Sequence, residues 1–164
     1  MPNYDLGDAD ENSFATDFLT DRTIEFMDAH KEEPFCVMLS IPDPHQPDTV
    51  RPPYDTMYSH FEFQTPKTLF KTEAQTPDWI VGNLGDAVDD HLFQKENMVG
   101  YFGMVRLIDD NVGKILRFLD EKELAENTIV VFFSDNGGKH AHALQTPLRA
   151  GKGWLYEGGI REPL

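Results

Sequence analysis

The sequence is poor in three things: thiols, long apolar runs and basic side chains. Cys36 is its one cysteine. A single thiol cannot form an internal disulfide, so this is not a disulfide scaffold and its redox compartment is not legible. Set in Phe35-Cys36-Val37-Met38-Leu39, it is expected to be a small buried hydrophobe. No stretch approaches the roughly 18 uninterrupted apolar residues that a membrane span needs. Met1-Pro2-Asn3-Tyr4-Asp5 carries neither a basic start nor an apolar core, so it does not open a signal peptide. Lys and Arg number 14 against 29 Asp and Glu, a formal charge of −15. That balance repels nucleic acid and anionic membrane over most of the surface, and neither is expected as a partner. It leaves room for an anionic substrate in a locally positive pocket.

What is present is the composition of a soluble globular domain, 40% hydrophobic and 26% charged over 164 residues. Residues 1–15 are polar and acidic and read as loop. A helix is expected over residues 16–30, capped by Thr16 or Thr20, with Ile24 and Met27 facing inward beside Leu19 or Phe18. Residues 35–41 form a continuous apolar run between Pro34 and Pro42, the pattern of a buried parallel strand. Residues 42–91 are rich in proline and scattered aromatics, an ordered but irregular excursion with one short helix over 53–60. The clearest helix follows over 91–120, where Tyr101, Val105, Ile108, Val112, Ile115 and Leu119 draw one apolar stripe. Residues 128–133 make a second β-branched and aromatic run. Helix followed by buried strand is half of a βαβ crossover, so the class is α/β with a mainly parallel central sheet flanked by helices.

Three segments could carry chemistry. The second run ends in Ser134-Asp135-Asn136-Gly137-Gly138. Ligands of open α/β sheets bind beyond the carboxyl ends of strands, and a carboxylate beside a carboxamide offers hard oxygens suited to Ca²⁺ or Mg²⁺. Taken alone, a plain Asp-Asn-Gly turn is the simpler reading. Pro42-Asp43-Pro44-His45-Gln46-Pro47 follows the first run, and His45 is its one group able to move a proton near neutral pH. A lone loop histidine is more often a surface residue. Residues 146–161 set Arg149 and Lys152 on a glycine-rich backbone that an oxyanion could approach closely, although the P-loop pattern is absent.

Taken together, SDNGG, TPLRAGKGWLYEGGIREPL, PDPHQP with RPPYDTMY, and YFGMVRLIDDNVGKIL resemble, in order and spacing, the type I sulfatases of the alkaline phosphatase-like superfamily. The resemblance covers nearly the whole chain. It implies part of the alkaline phosphatase-like sandwich and a sulfuric ester hydrolase using a divalent metal, usually Ca²⁺ with Mg²⁺ as the alternative. It implies that Asp135 and Asn136 are metal ligands, that Lys152 binds a sulfate oxygen, and that His45 contacts the sulfate or protonates the leaving oxygen. Arg149 either touches the substrate or positions its loop, by pairing with an acidic neighbour such as Glu157. His140 and His142, with Lys139, fall where the family varies, so they line the substrate pocket or lie in exposed loop. Asp109 and Asp110 are expected to be solvated or to pair along their helix.

The family's nucleophile, a cysteine or serine in C/S-x-P-x-R that is converted to formylglycine, has no counterpart here. Cys36 is followed by Val37-Met38-Leu39, and Ser40-Ile41-Pro42 has Pro44 where the arginine must stand. The expectation is a partial catalytic domain over 1–164, lacking the nucleophile region, half of the metal ligands and a C-terminal subdomain. An incomplete sheet would leave open edges and impair folding. The substrate would be a sulfated small molecule or polysaccharide, with residues 55–95 and 139–145 setting specificity, and the parent protein would follow the family's usual export to periplasm, cell exterior or lysosome. A phosphate or phosphonate monoester hydrolase of the same superfamily, or a non-catalytic remnant, are the competing readings. The purified 164-residue chain is therefore expected to show no metal-dependent turnover of an aryl sulfate, and measurable turnover would overturn the fragment reading.

Overall fold

The computed structural model describes residues 13–63, 95–139, 145 and 147–162. The chain divides into two compact units, one drawn from Met1–Tyr58 and Val99–Ile129, the other from Ser59–Met98 and Val130–Leu164.

Helix α1 spans Ala15–Ala29 and helix α2 Lys95–Glu121. Thr16, Thr20, Ile24 and Met27 fall at helical spacing on one face of α1; Met27 and both threonines are buried, and Ile24 is half-buried. The expected cap is not there. Phe14 takes the N-cap position without a side-chain bond, and the two threonines sit inside the helix, fully buried. A buried hydroxyl needs a partner, so Thr20 donates to the Thr16 carbonyl and Thr16 donates to the Asp43 carboxylate. The helix ends at His30, whose N–H reaches the carbonyls of Phe26 and Met27, and Pro34 follows.

Helix α2 packs through much of the expected stripe, with Leu119 buried and Tyr101 and Ile115 against the clusters, but the covered face leaves Val105 out. Met104, Leu107 and Asn111 are completely or almost completely buried, whereas Val105 is 41% exposed. The choice of face has a steric cause. A Cβ at Gly100 would stand 1.9 Å from the Asp48 carbonyl oxygen, and one at Gly103 2.4 Å from that of Tyr54. The loop backbone therefore lies directly on α2 along its glycines, and the residues on that line are the ones covered. Val50, Tyr54, Met104 and Leu107 form one apolar cluster there, with Tyr101 against it. Met27, Phe118 and Leu119 form the second, with Ile24, Phe35, Ile115 and Leu124 around it. Each full burial of a side chain such as Leu107 contributes about 1.5–3 kcal/mol.

The excursion differs from the sequence expectation at 53–60, where consecutive turns replace the short helix. Tertiary anchors rather than a helical ladder fix this segment: Tyr54 donates its hydroxyl to Asp110 at 2.8 Å, and its N–H bonds the Arg51 carbonyl at 3.0 Å. Residues 64–91 of the excursion, and the expected helix start at 91–94, lie outside the described residues.

The two apolar runs are mostly uncovered, contrary to expectation. Met38 is 91% and Ile129 92% exposed, Phe132 and Phe133 63% each, and Cys36 is exposed. No strand ladder forms among the described residues, and of the first run it is Phe35 that packs, against the Met27, Phe118 and Leu119 cluster. A short 3₁₀ turn, Ala125–Asn127, links α2 to the second run, and a third helix, α3, is the single turn Glu157–Ile160.

Asp17 is the polar centre of the first unit. Its carboxylate takes Arg51 Nε at 2.6 Å and Nη2 at 2.9 Å, Asn111 Nδ2 at 3.1 Å and Lys114 Nζ at 3.4 Å. The hydrogen bonds from Arg51, opposed by burial and joined by Asn111 and Lys114, lower its pKa from 3.8 to about 2. A carboxyl whose folded pKa lies below its unfolded value adds stability above the unfolded value and loses it as pH falls toward the folded one. Asp17→Asn is accordingly expected to cost about 1–2 kcal/mol near pH 7, allowing for solvent screening, and nothing once pH falls below about 2. Urea unfolding of both proteins across pH 2 to about 7 measures it, and parallel curves would contradict the assignment.

Candidate active site

The second unit knits two of the sequence segments together by backbone alone. Gly137 N–H donates to the Gly159 carbonyl at 3.1 Å, and Lys152 N–H to that of Gly138 at 3.0 Å. Gly158 N–H donates to the Arg149 carbonyl at 2.9 Å. No side chain fits at this junction. A Cβ on Gly137 would meet the Gly158 carbonyl oxygen at 1.8 Å, and one on Gly159 that of Trp154 at 2.0 Å. This is why the segment needs glycine at both ends, and it is what brings Asp135 and Asn136 into one structure with Lys152. Ala150 sits in the left-handed region at φ 63°, costly for a residue with a Cβ.

Asp135 is exposed and Asn136 half-buried. Ser134 Oγ donates to the Asn136 carbonyl at 2.8 Å, which closes the turn and leaves the side chains of Asp135 and Asn136 without an ion pair or hydrogen bond among the described residues. Two hard oxygens left unspent in this way fit a Ca²⁺ or Mg²⁺ ion, though they supply two of the roughly six to eight that Ca²⁺ takes. No cluster of three or more acidic, histidine or cysteine ligands forms among the described residues. Lys152 is exposed, and no carboxylate pairs with its ammonium among them.

Arg149 behaves differently from the expected pairing. Its guanidinium lies over the Tyr156 ring at 4.0 Å from the centroid, a cation–π contact, with Trp154 stacked at 6.4 Å on Tyr156. Glu157 pairs with Arg161 instead, at 3.5 Å one helical turn on. The reason is direction: Glu157 opens α3, so its side chain meets the residue four further along. His140 and His142 lie outside the described residues.

His45 belongs to the first unit. Its ring Nδ1 lies 3.0 Å from the Gln46 carbonyl. A carbonyl can only accept, so Nδ1 carries the hydrogen and Nε2 is the atom left to exchange a proton. Asp109 and Asp110 pair with Arg106 along α2, at 3.5 and 2.8 Å, as expected of helix-surface carboxylates. Sequence reasoning missed Asp17, Arg51, Asn111 and Lys114. The legible signal was Asn111, a carboxamide at a buried position of an otherwise apolar helix face.

The geometry can be set beside known proteins. A model of the sulfatase family matches residues 3–164, and the chain belongs to that family. A sulfatase of Formosa agariphila is 40% identical over 78 residues, 43% of this chain and 14% of that protein. Bovine N-acetylglucosamine-6-sulfatase is 28% identical over 92% of this chain and 27% of its own length. Human N-acetylgalactosamine-6-sulfatase is 44% identical over 68 residues, 38% of this chain and 13% of its own. Among solved structures, Ps i-CgsB in complex with k-i-k-neocarrahexaose superposes with a TM-score of 0.61 at 28% identity, over 94% of this chain and 28% of that one. The alkaline phosphatase-like fold follows from the family match and this likeness. The chain thus spans about a quarter or less of the curated relatives named here. No helix among the described residues is long and apolar enough to cross a membrane.

Gly137→Ala is expected to open the junction, because neither backbone can move aside without breaking the bonds that flank it. Amide exchange at Lys152 reports this directly: at least about tenfold faster exchange is expected, and unchanged protection would show that the contact is dispensable.

Proposed function

We propose that this chain supplies the leaving-group and sulfate-binding half of a sulfatase catalytic domain, and that the whole protein hydrolyses sulfate esters on a carbohydrate. The observation that carries the proposal is the glycine junction, which fixes Asp135, Asn136 and Lys152 in one unit while their side chains stay unspent. Two of the relatives, the bovine and human enzymes, are by name sulfatases of N-acetylated amino sugars, and the solved structure holds an oligosaccharide, which supports a sulfated polysaccharide as the substrate class. The mainly parallel central sheet belongs to the same proposal, with the runs at 35–41 and 128–133 as two of its strands.

Each side chain has a definite part. Asp135 and Asn136 hold a divalent cation, Ca²⁺ or Mg²⁺, by hard oxygen donors. When bound, that cation supplies positive charge to the sulfate oxygens. Lys152, with no carboxylate neutralising it among the described residues, binds a sulfate oxygen and stabilises the charge that grows there as the ester bond breaks. His45, as an imidazolium whose Nδ1–H is held by the Gln46 carbonyl, gives its Nε2 proton to the departing alkoxide and is left as the neutral Nδ1–H imidazole. The Arg149–Tyr156 stack stiffens the loop that carries Lys152. The attacking group, formylglycine by family resemblance, lies outside this sequence.

In the full-length protein Lys152→Ala is expected to lower kcat about 10²–10³-fold on an aryl sulfate, the usual effect of losing one charge-stabilising donor. Asp135→Ala should weaken binding of Ca²⁺ measured by calorimetry, a readout independent of turnover. Retained kcat together with retained Ca²⁺ binding would remove the proposal, and turnover of a phosphate monoester in preference to the sulfate would move the site to the related hydrolases.

A further inference from the structure

Two neighbouring side chains of α1 hold both ends of the segment that carries His45. Thr16, fully buried, donates its hydroxyl to Asp43 Oδ2, just before His45 in sequence. Asp17, the next residue, receives the Arg51 guanidinium as a fork, with Nε at 2.6 Å from Oδ2 and Nη2 at 2.9 Å from Oδ1. Arg51 closes the segment, and Val50 and Tyr54 beside it are buried against Met104 and Leu107. Between these two grips His45 bonds its own loop alone, through its N–H to the Pro42 carbonyl at 3.1 Å and its Nδ1 to that of Gln46 at 3.0 Å. The place of the imidazole is thus set by where residues 43 and 51 are held, together with the Asp48 backbone that rests on Gly100 of α2.

The carboxylate that holds Arg51 is braced in turn. Asn111, 1% exposed on the packed face of α2, donates Nδ2 to Asp17 Oδ1 at 3.1 Å and to the Leu107 carbonyl at 2.9 Å. Both acceptors are oxygens, so the amide orientation is fixed and Asp17 cannot swing without breaking a buried bond. Lys114 adds its ammonium at 3.4 Å. An apolar side chain at 111 would pack as well against Leu107 and Met104. A carboxamide there, spending its donors on Asp17 and leaving Oδ1 without a partner, serves the placement of that carboxylate more than it serves packing. The cation–π contact of Arg51 on Tyr54, 5.0 Å from the ring centroid, locks the guanidinium plane from the other side.

We infer that Asp17 is a positioning residue for the reaction, acting on His45 through Arg51 and the loop between them, with Asn111 and Thr16 as its supports. This rests on the proton-donor reading of His45 given above. An acid must stand within hydrogen-bond reach of the leaving oxygen, and a displacement of about 1 Å costs on the order of 100-fold in rate. A loop rich in proline but exposed at His45 itself has no core of its own to supply that precision. The fork on α1 supplies it at the Arg51 end, as the Thr16 hydroxyl does at Asp43 and the Asp48 backbone does on Gly100.

A double-mutant cycle in the full-length sulfatase tests this, with kcat and KM on an aryl sulfate measured for Asp17→Asn, His45→Ala and the double variant. Asp17→Asn is expected to lower kcat about 10–100-fold with KM within about twofold, and to add nothing in the His45→Ala background. Equal losses in both backgrounds, the result of a merely structural role, would overturn the inference, as would an unchanged kcat in Asp17→Asn alone. Should Asp17→Asn fail to fold, Arg51→Lys carries the same cycle, since it keeps the charge and removes the fork. Full activity in His45→Ala would mark the failure of the underlying reading of His45, a result distinct from additive losses, and the inference would fall with it.

Discussion

Backbone lying on backbone with no space for a Cβ is the constraint on which the rest of this structure depends. In the first unit, Gly100 and Gly103 admit the carbonyls of Asp48 and Tyr54 onto α2, and the apolar cluster around Leu107 assembles along that line. In the second, Gly137, Gly158 and Gly159 join the acidic turn to the loop of Lys152. Contacts of this kind are rigid because no rotamer can relax them, and a side chain placed there must move the main chain. The junction that carries Asp135, Asn136 and Lys152 in the second unit is therefore built on fixed backbone rather than on packed side chains.

Charge is used economically within that frame. Although the chain carries an excess of acid, Asp17 has its cations drawn in close, and Asp28 is paired with Lys122 at 3.0 Å and Lys31 at 3.2 Å. Asp110 serves both Arg106 and the Tyr54 hydroxyl. Asp135, Asn136 and Lys152 stand apart from this habit of pairing. Two hard-oxygen side chains and an ammonium brought into one unit and left unmatched are where a ligand is expected to complete the set.

Where sequence reasoning erred, it did so for one reason. The α2 stripe was drawn by spacings of four and three, and Val105 fell outside the covered face because that face is set by the glycines. Thr16 and Thr20 were assigned to capping from residue type, yet their hydroxyls answer to Asp43 and to the helix itself. Arg149 was offered an acidic neighbour in sequence, and the ring of Tyr156 lay closer in space. The apolar runs around Cys36 and Phe132 carry the pattern of covered strands, but burial is a property of neighbours, and among the described residues Cys36, Met38, Ile129, Phe132 and Phe133 stay exposed.

By itself the sequence determined the family and the two long helices, and it singled out candidate chemistry-bearing residues. Those depend on local periodicity and on short motifs whose residue types are dictated by hard-oxygen, ammonium and imidazole chemistry. Only the tertiary structure decided which face of α2 is covered, that Arg51 closes on Asp17 across 34 positions of chain, and that Asn111 braces it from 94 positions away. The physical reason is that such contacts are set by the close approach of backbones, and a one-dimensional pattern records which residues lack a side chain but not what comes to rest against them.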